Sequence, residues 1–135
     1  MKRQRSREIA MELIFGIELS KNSYDETIET FVEDYEMDLK IIDLEYIKLV
    51  VKQVVDNKEK IDEILTSSMT NWKLDRISKV NLTILRLAVG EMLYLEDVPE
   101  KVAINEAVEL AKKYSDESSV SFVNGVLDKV FKSFK

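Results

Sequence analysis

The run Ile77–Leu95, ISKVNLTILRLAVGEMLYL, constrains this chain most. Its apolar side chains point in nearly every direction around a helical projection, the pattern of a helix buried on all sides. A chain that owns such a helix must supply amphipathic helices to wrap it. The rest of the sequence suits that task. Three Gly and one Pro in 135 residues leave few breakers, so long helices joined by short turns are expected. The fold class that follows is all-α: a compact bundle of about seven helices in a single domain over residues 1–135. Short connections make neighbours antiparallel, and the pattern leaves room for two subbundles sharing the central helix.

The wrapping helices can be placed. Ile9, Leu13, Ile14 and Ile17 recur at helical spacing and predict a first helix over Ser6–Leu19. Ser23 and Glu26 fit a capping box that opens a second helix, with Ile28, Phe31 and Val32 inside. A third pattern covers Leu39–Val55 and a fourth Lys58–Leu65. Pro99 opens a helix to Tyr114, and Ser115–Ser119 break the chain before a last helix carrying Phe122, Val123, Val126, Leu127, Val130 and Phe131. Gly90 lies inside the central helix, where Gly costs about 1 kcal/mol relative to Ala. Close approach of a neighbouring helix would explain it, and Gly16 and Gly125 invite the same reading. Trp72 reads as a core plug before the central helix.

Composition narrows the chemistry. The chain has no Cys and no His, which excludes disulfides, thiolate metal sites and the commonest general base. No apolar run reaches the ~20 residues of a membrane span, and no signal-peptide core follows the basic N-terminus. The expected setting is the cytoplasm. Glu91, Glu106 and Glu109 could suggest a carboxylate metal cluster, but bundle sites of that kind also use His. Glu106 and Glu109 fit better as partners of Lys101, Lys112 or Lys113. No catalytic residues, metal or cofactor are expected. Asn105 and Asn124, polar among apolar neighbours, read as hydrogen-bonded helix contacts.

Charge points to nucleic acid, locally. The net charge is −6, yet Lys2, Arg3, Arg5 and Arg7 fall in the first seven residues without an acid. The other 16 basic residues face all 26 acidic ones, a net of −10. An acidic body repels a polyanion on average, so a nucleic-acid site must be confined, and the N-terminal arm is the obvious place. The plain alternative is a solvated chain start. Lys112, Lys113 and Phe122 flank the turn between the last two helices. Cations with an aromatic ring can hold phosphate and stack a base of single-stranded RNA, although Phe122 also fits a core position.

The blocks NWKLDRISKVNLTILRLAVGEMLYLEDVPEK and VAINEAVELAKKYSDESSVSFVNGVLDKVFKSF resemble the NusB family of bacterial antitermination proteins. The resemblance extends to the arginine-rich start, Arg7-Glu8 and Phe15. It implies an all-helical, non-catalytic adaptor. Such an adaptor binds the boxA element of nascent ribosomal RNA together with NusE, a small-subunit ribosomal protein. It then joins RNA polymerase with other Nus factors and helps it read through terminators. Carried over by position, the resemblance implies RNA contacts at Lys2, Arg3, Arg5, Arg7, Lys112, Lys113 and Phe122, with Phe15 near the arm. It implies polar contacts to the ribosomal partner at Asn81, Thr83 and Arg86, although relatives carry an acid at the position of Asn81.

Two other readings stay open. A similar domain forms the N-terminal part of ribosomal RNA cytosine methyltransferases, but this sequence shows no cofactor-binding domain. The chain could also be a helical interaction module whose arm never meets RNA. Whether it forms a homodimer is also open. Reversal of Arg3, Arg5 and Arg7 to Glu is expected to abolish RNA binding in a folded protein if the arm is the site.

Overall fold

The computed structural model describes residues 2–35, 38–69 and 74–134; Trp72 lies outside them. Seven α-helices occur among these residues. They are α1 (Lys2–Ser20), α2 (Tyr24–Asp34), α3 (Leu44–Asp56), α4 (Lys58–Ser67), α5 (Lys79–Tyr94), α6 (Glu100–Tyr114) and α7 (Glu117–Ser133). Single 3-10 turns, Leu39–Ile41 and Leu74–Arg76, precede α3 and α5.

Short polar side chains set most of the helix starts. Ser23 and Glu26 form the expected capping box at α2. Asp43 accepts from the Tyr46 N–H at 3.1 Å, Ser78 from the Asn81 N–H at 3.1 Å and Asp116 from the Ser119 N–H at 2.8 Å. Each such cap contributes about 1 kcal/mol. The Asp43 cap divides the expected Leu39–Val55 helix, leaving residues 39–41 as a separate turn. The Asp116 cap narrows the Ser115–Ser119 break to two residues, and Ser119 is already helical. Pro99 serves as the N-cap of α6 rather than its first residue.

The first helix begins at Lys2, four positions before the expected start. Tertiary contacts hold the extra turn. The Ser6 hydroxyl donates to the Lys2 carbonyl and accepts from the Asp43 N–H, each at 2.7 Å. Arg3 donates to the Asp43 carboxylate at 3.0 Å. The start of α1 is therefore fastened to the start of α3. What reads as an arm is a helix end.

The central helix α5 contacts α1, α3, α4, α6 and α7. One group, α1 with α3, packs on it with α2 against both; a second, α6 with α7, packs on it and on itself. Ile84, Leu85 and Val89 of α5 are fully buried, each contributing roughly 1.5–3 kcal/mol. Gly90 has the expected reason: a Cβ there would lie 2.7 Å from Val54 Cγ2. Gly16 and Gly125 do not share it, since a Cβ at either would meet nothing within 4 Å among the described residues. Asn105 and Asn124, expected as interhelical contacts, are both exposed.

Candidate nucleic-acid interface

The four N-terminal cations separate once they are wound into a helix. Residues four apart share a face and residues two apart point away from each other. Arg3 and Arg7 turn inward. Arg7 is 3% exposed. Its Nε and Nη2 donate to both Glu91 oxygens at 2.7–3.1 Å, and Glu106 stands 3.7 Å from Nη1. Arg7 is thus a buried ion-pair partner, enclosed rather than presented at the surface. Burial works against its charge, but the hydrogen bonds and field of Glu91 outweigh it and hold its pKa above the usual guanidinium range. Burial raises the pKa of Glu91 despite Arg7.

Arg3 is half-buried. Besides Asp43 it meets Asp97 at 3.6 Å, and its guanidinium lies 4.4 Å above the Tyr46 ring. It is largely committed within the protein. Lys2 and Arg5 are exposed. Arg5 pairs with Glu8 at 3.0 Å and Glu12 at 3.8 Å.

The end of α6 joins this face of α1. Lys113 Nζ lies 3.0 Å from Glu8, and the Tyr114 hydroxyl donates to Glu12 at 2.8 Å. Lys112 pairs with Glu109 at 3.4 Å. A cleft of about 260 Å³ runs between the helices, lined by Gln4, Glu8, Glu109, Lys112 and Lys113, with Arg7 and Glu106 behind. Glu8 bridges Arg5 and Lys113. Partial burial opposes its charge, but hydrogen bonds from those two cations hold its carboxyl below the usual range. Burial and the hydrogen bond to Glu12 push the Tyr114 phenol up to about 12. Phe15 is half-buried on α1, about two turns beyond Glu8 along the same face. The structure thus brings Arg5, Lys112 and Lys113 together, with Phe15 further along the ridge, and interleaves the cations with carboxylates.

Phe122 sits elsewhere. It lines a second cleft with Arg76, Ile77, Ser78, Asn81, Ser118 and Ser119, so it does not extend the α1–α6 face as expected. Two of the three partner-contact candidates are buried and hydrogen-bonded within the protein. Thr83 is 2% exposed and donates to the Lys79 carbonyl within its own helix. Arg86 is 7% exposed and holds Asp62 through two hydrogen bonds of 2.9 and 3.0 Å, with Glu18 3.9 Å away. It ties α5 to α4 and α1 and has little left to offer a partner. Asn81 is also mostly buried, but it borders the Phe122 cleft.

The sequence model of the NusB family matches residues 4–132. The chain belongs to the NusB family. It is 55% identical over 132 residues to the transcription antitermination protein NusB of Clostridium botulinum strain Alaska E43, covering 98% of this chain and 99% of that one. It is 50% identical over 135 residues to the protein of the same name from Clostridium perfringens strain SM101, with both chains fully covered. Among solved structures, Thermotoga maritima NusB superposes with a TM-score of 0.83 at 32% identity, over 98% of this chain and 92% of that one. A NusB chain solved with NusE and double-stranded RNA superposes with a TM-score of 0.84 at 31% identity, over 98% and 99%.

Within this NusB-family fold the pairing of Glu109 with Lys112 is the one expected from sequence, whereas Glu8 and Glu12, the acids that α1 brings to this face, escaped sequence reading. The Arg5–Glu8 spacing of three was a legible signal. The approach of Lys113 to Glu8 was not, because 105 positions separate them in the chain. Glu91 was noticed only as a metal-ligand candidate, and Arg7 occupies both of its oxygens.

Proposed function

We propose that this chain is a transcription antitermination factor. In this reading it is a non-catalytic adaptor that binds boxA RNA of nascent ribosomal transcripts together with the NusE ribosomal protein. With other Nus factors it helps RNA polymerase pass terminators. The observation that carries the reading is family membership along nearly the whole chain, with full-length relatives that bear the antitermination name. The reading places the protein in the cytoplasm, and no described helix is long and apolar enough to cross a membrane. A non-catalytic role accords with a sequence without His or Cys and with Glu91 committed to Arg7.

In this reading Lys2, Arg5, Lys112 and Lys113 supply phosphate contacts, and Phe15 adds an aromatic surface on the same ridge. Glu8 competes with phosphate for Arg5 and Lys113. Such contacts supply affinity and salt dependence, while exposed bases supply sequence preference.

The test is fluorescence anisotropy of labelled boxA RNA and a scrambled RNA, with and without the ribosomal partner, at two salt concentrations. Preferential boxA binding that tightens with the partner is expected. Lys112→Glu with Lys113→Glu is expected to weaken both RNAs and flatten the salt dependence by about 0.7 per lost contact. Glu8→Gln is expected to strengthen both. Equal, weak binding of the two RNAs with partner present would overturn the boxA reading.

A further inference from the structure

The start of α1 is wound against its own electrostatics. Lys2, Arg3, Arg5 and Arg7 crowd the positive end of the helix dipole, and the first turn holds no acid. A helix start of that charge frays in water unless contacts outside the helix hold it. One residue at the start of α3 supplies them.

Asp43 reaches α1 by two routes. Its Oδ2 accepts from Arg3 Nη2 at 3.0 Å and from Arg3 Nε at 3.3 Å. Its backbone N–H donates to Ser6 Oγ at 2.7 Å, and that fully buried hydroxyl passes the link on to the Lys2 carbonyl at 2.7 Å. The other carboxylate oxygen, Oδ1, caps α3 at the Tyr46 N–H. The two oxygens thus serve two helices. The Arg3 guanidinium also lies 4.4 Å above the Tyr46 ring, in the first turn of the same α3. Asp97 is exposed and stands 3.6 Å from Arg3, beyond hydrogen-bond range.

Winding decides where the free cations stand. Lys2 and Arg5 are both exposed, and residues three apart share a side of a helix. Arg5 and Lys113 meet the same Glu8 side chain at 3.0 Å each. Unwound, the chain would span up to ~3.5 Å per residue rather than about 1.5 Å, and Lys2 would leave the side it shares with Arg5.

We propose that Asp43 is a positioning residue for RNA, holding the first turn of α1 helical so that Lys2 and Arg5 stand beside Lys112 and Lys113. The proposal rests on the RNA-binding reading above and adds to it that this cationic face is built before RNA arrives. Asp43 itself touches no RNA, and Arg3 serves as its anchor rather than as a phosphate ligand. Preorganisation raises affinity by removing the ordering cost from the binding step. If loss of the anchor leaves the turn wound in about a tenth of the molecules, the apparent Kd rises about tenfold. The bound state keeps every phosphate contact, so the salt dependence stays the same.

Two variants cut the anchor from opposite ends. Asp43→Ser keeps a hydroxyl to cap α3 and removes a negative charge. Arg3→Gln keeps Asp43 whole and removes a positive one. Anisotropy of labelled boxA RNA, with the ribosomal partner present, is measured across a range of salt concentrations. Amide hydrogen exchange at Ser6 and Arg7, whose N–H groups close the first turns of α1, reports whether the start is wound. Both variants are expected to weaken binding about tenfold at an unchanged salt slope, with exchange quickened at both amides. Direct charge effects give a different pattern: tighter binding by Asp43→Ser, and weaker, less salt-dependent binding by Arg3→Gln. That pattern, or RNA affinity unchanged in either variant, overturns the proposal and leaves the adaptor reading standing. If the unsubstituted protein binds boxA no better than a scrambled RNA, the boxA reading fails instead, and the two variants still decide the positioning proposal on either RNA. Should one variant misfold, the other decides, since each cuts the same link.

Discussion

Arginine positions two residues apart in α1 have opposite duties. Arg5 faces water and pairs at the surface with Glu8 and Glu12. Arg7 is enclosed, and its charge is tolerated only because Glu91 meets it. Removing one member of a buried pair strands the other charge, at a cost of about 3–5 kcal/mol; exposed pairs contribute about 0–1 kcal/mol. Arg7→Ala is therefore expected to lower the urea midpoint sharply, and Arg5→Ala to leave it nearly unchanged. Equal midpoints for the two variants would show that the Arg7–Glu91 pair is not structural. The same contrast corrects the charge-reversal test that sequence reading suggests. Arg7→Glu sets a second carboxylate against Glu91, so a triple reversal would confuse unfolding with loss of RNA binding. Arg5, Lys112 and Lys113 are the positions that separate the two.

The helices show how much local chemistry decides and where it stops. Their number and order, the Ser23 capping box and the start of α4 at Lys58 follow from periodicity and caps within a few residues of one another. The start of α1 does not, because Ser6 and Arg3 are fastened by Asp43, 37 and 40 positions away. Glycines divide in the same way. Gly90→Ala gains about 1 kcal/mol of helix propensity but drives a methyl against Val54. Val54 is a β-branched residue with little χ1 freedom in a helix, and overpacking costs about 1–3 kcal/mol. Net destabilisation is expected. Gly16→Ala and Gly125→Ala meet open space and are expected to raise stability by about 0.5–1 kcal/mol each. Thermal melts of the three variants check this; a stabilised Gly90→Ala would mean that α3 and α5 have slack the structure does not show.

For the whole molecule, the carboxylates that join helices set the acid limit of stability. Partial burial opposes ionisation of Glu8, Glu18 and Asp43. For Glu8, hydrogen bonds from Lys113 and Arg5 prevail. For Glu18, Lys58 and Arg86 prevail, and for Asp43 the Tyr46 N–H and Arg3. All three are held below their usual range. The unfolded chain then binds more protons in that window, so stability rises with pH there. The contribution is complete above about pH 4–5 and is lost as pH falls through the lowered folded values. Urea unfolding between pH 3 and 7 is expected to show stability falling on the acid side. The fall should be smaller in Glu8→Gln, and an unchanged profile there would remove Glu8 from the account.

The sequence by itself determined the all-α class, the central helix and the positions of most caps, because these depend on residues within one or two turns of each other. It also carried the family, through the runs from Trp72 to Leu95 and from Pro99 to Lys129. Its surface was less legible. A cation's availability depends on which carboxylate the fold sets beside it, and that carboxylate can lie anywhere in the chain. Only the tertiary structure buried Arg7 on Glu91, spent Arg86 on Asp62 and enclosed Thr83. Only it set Phe122 beside Asn81 rather than beside Lys112. Charge and hydrogen bonding act across space, and the chain's order does not record which distant groups will meet.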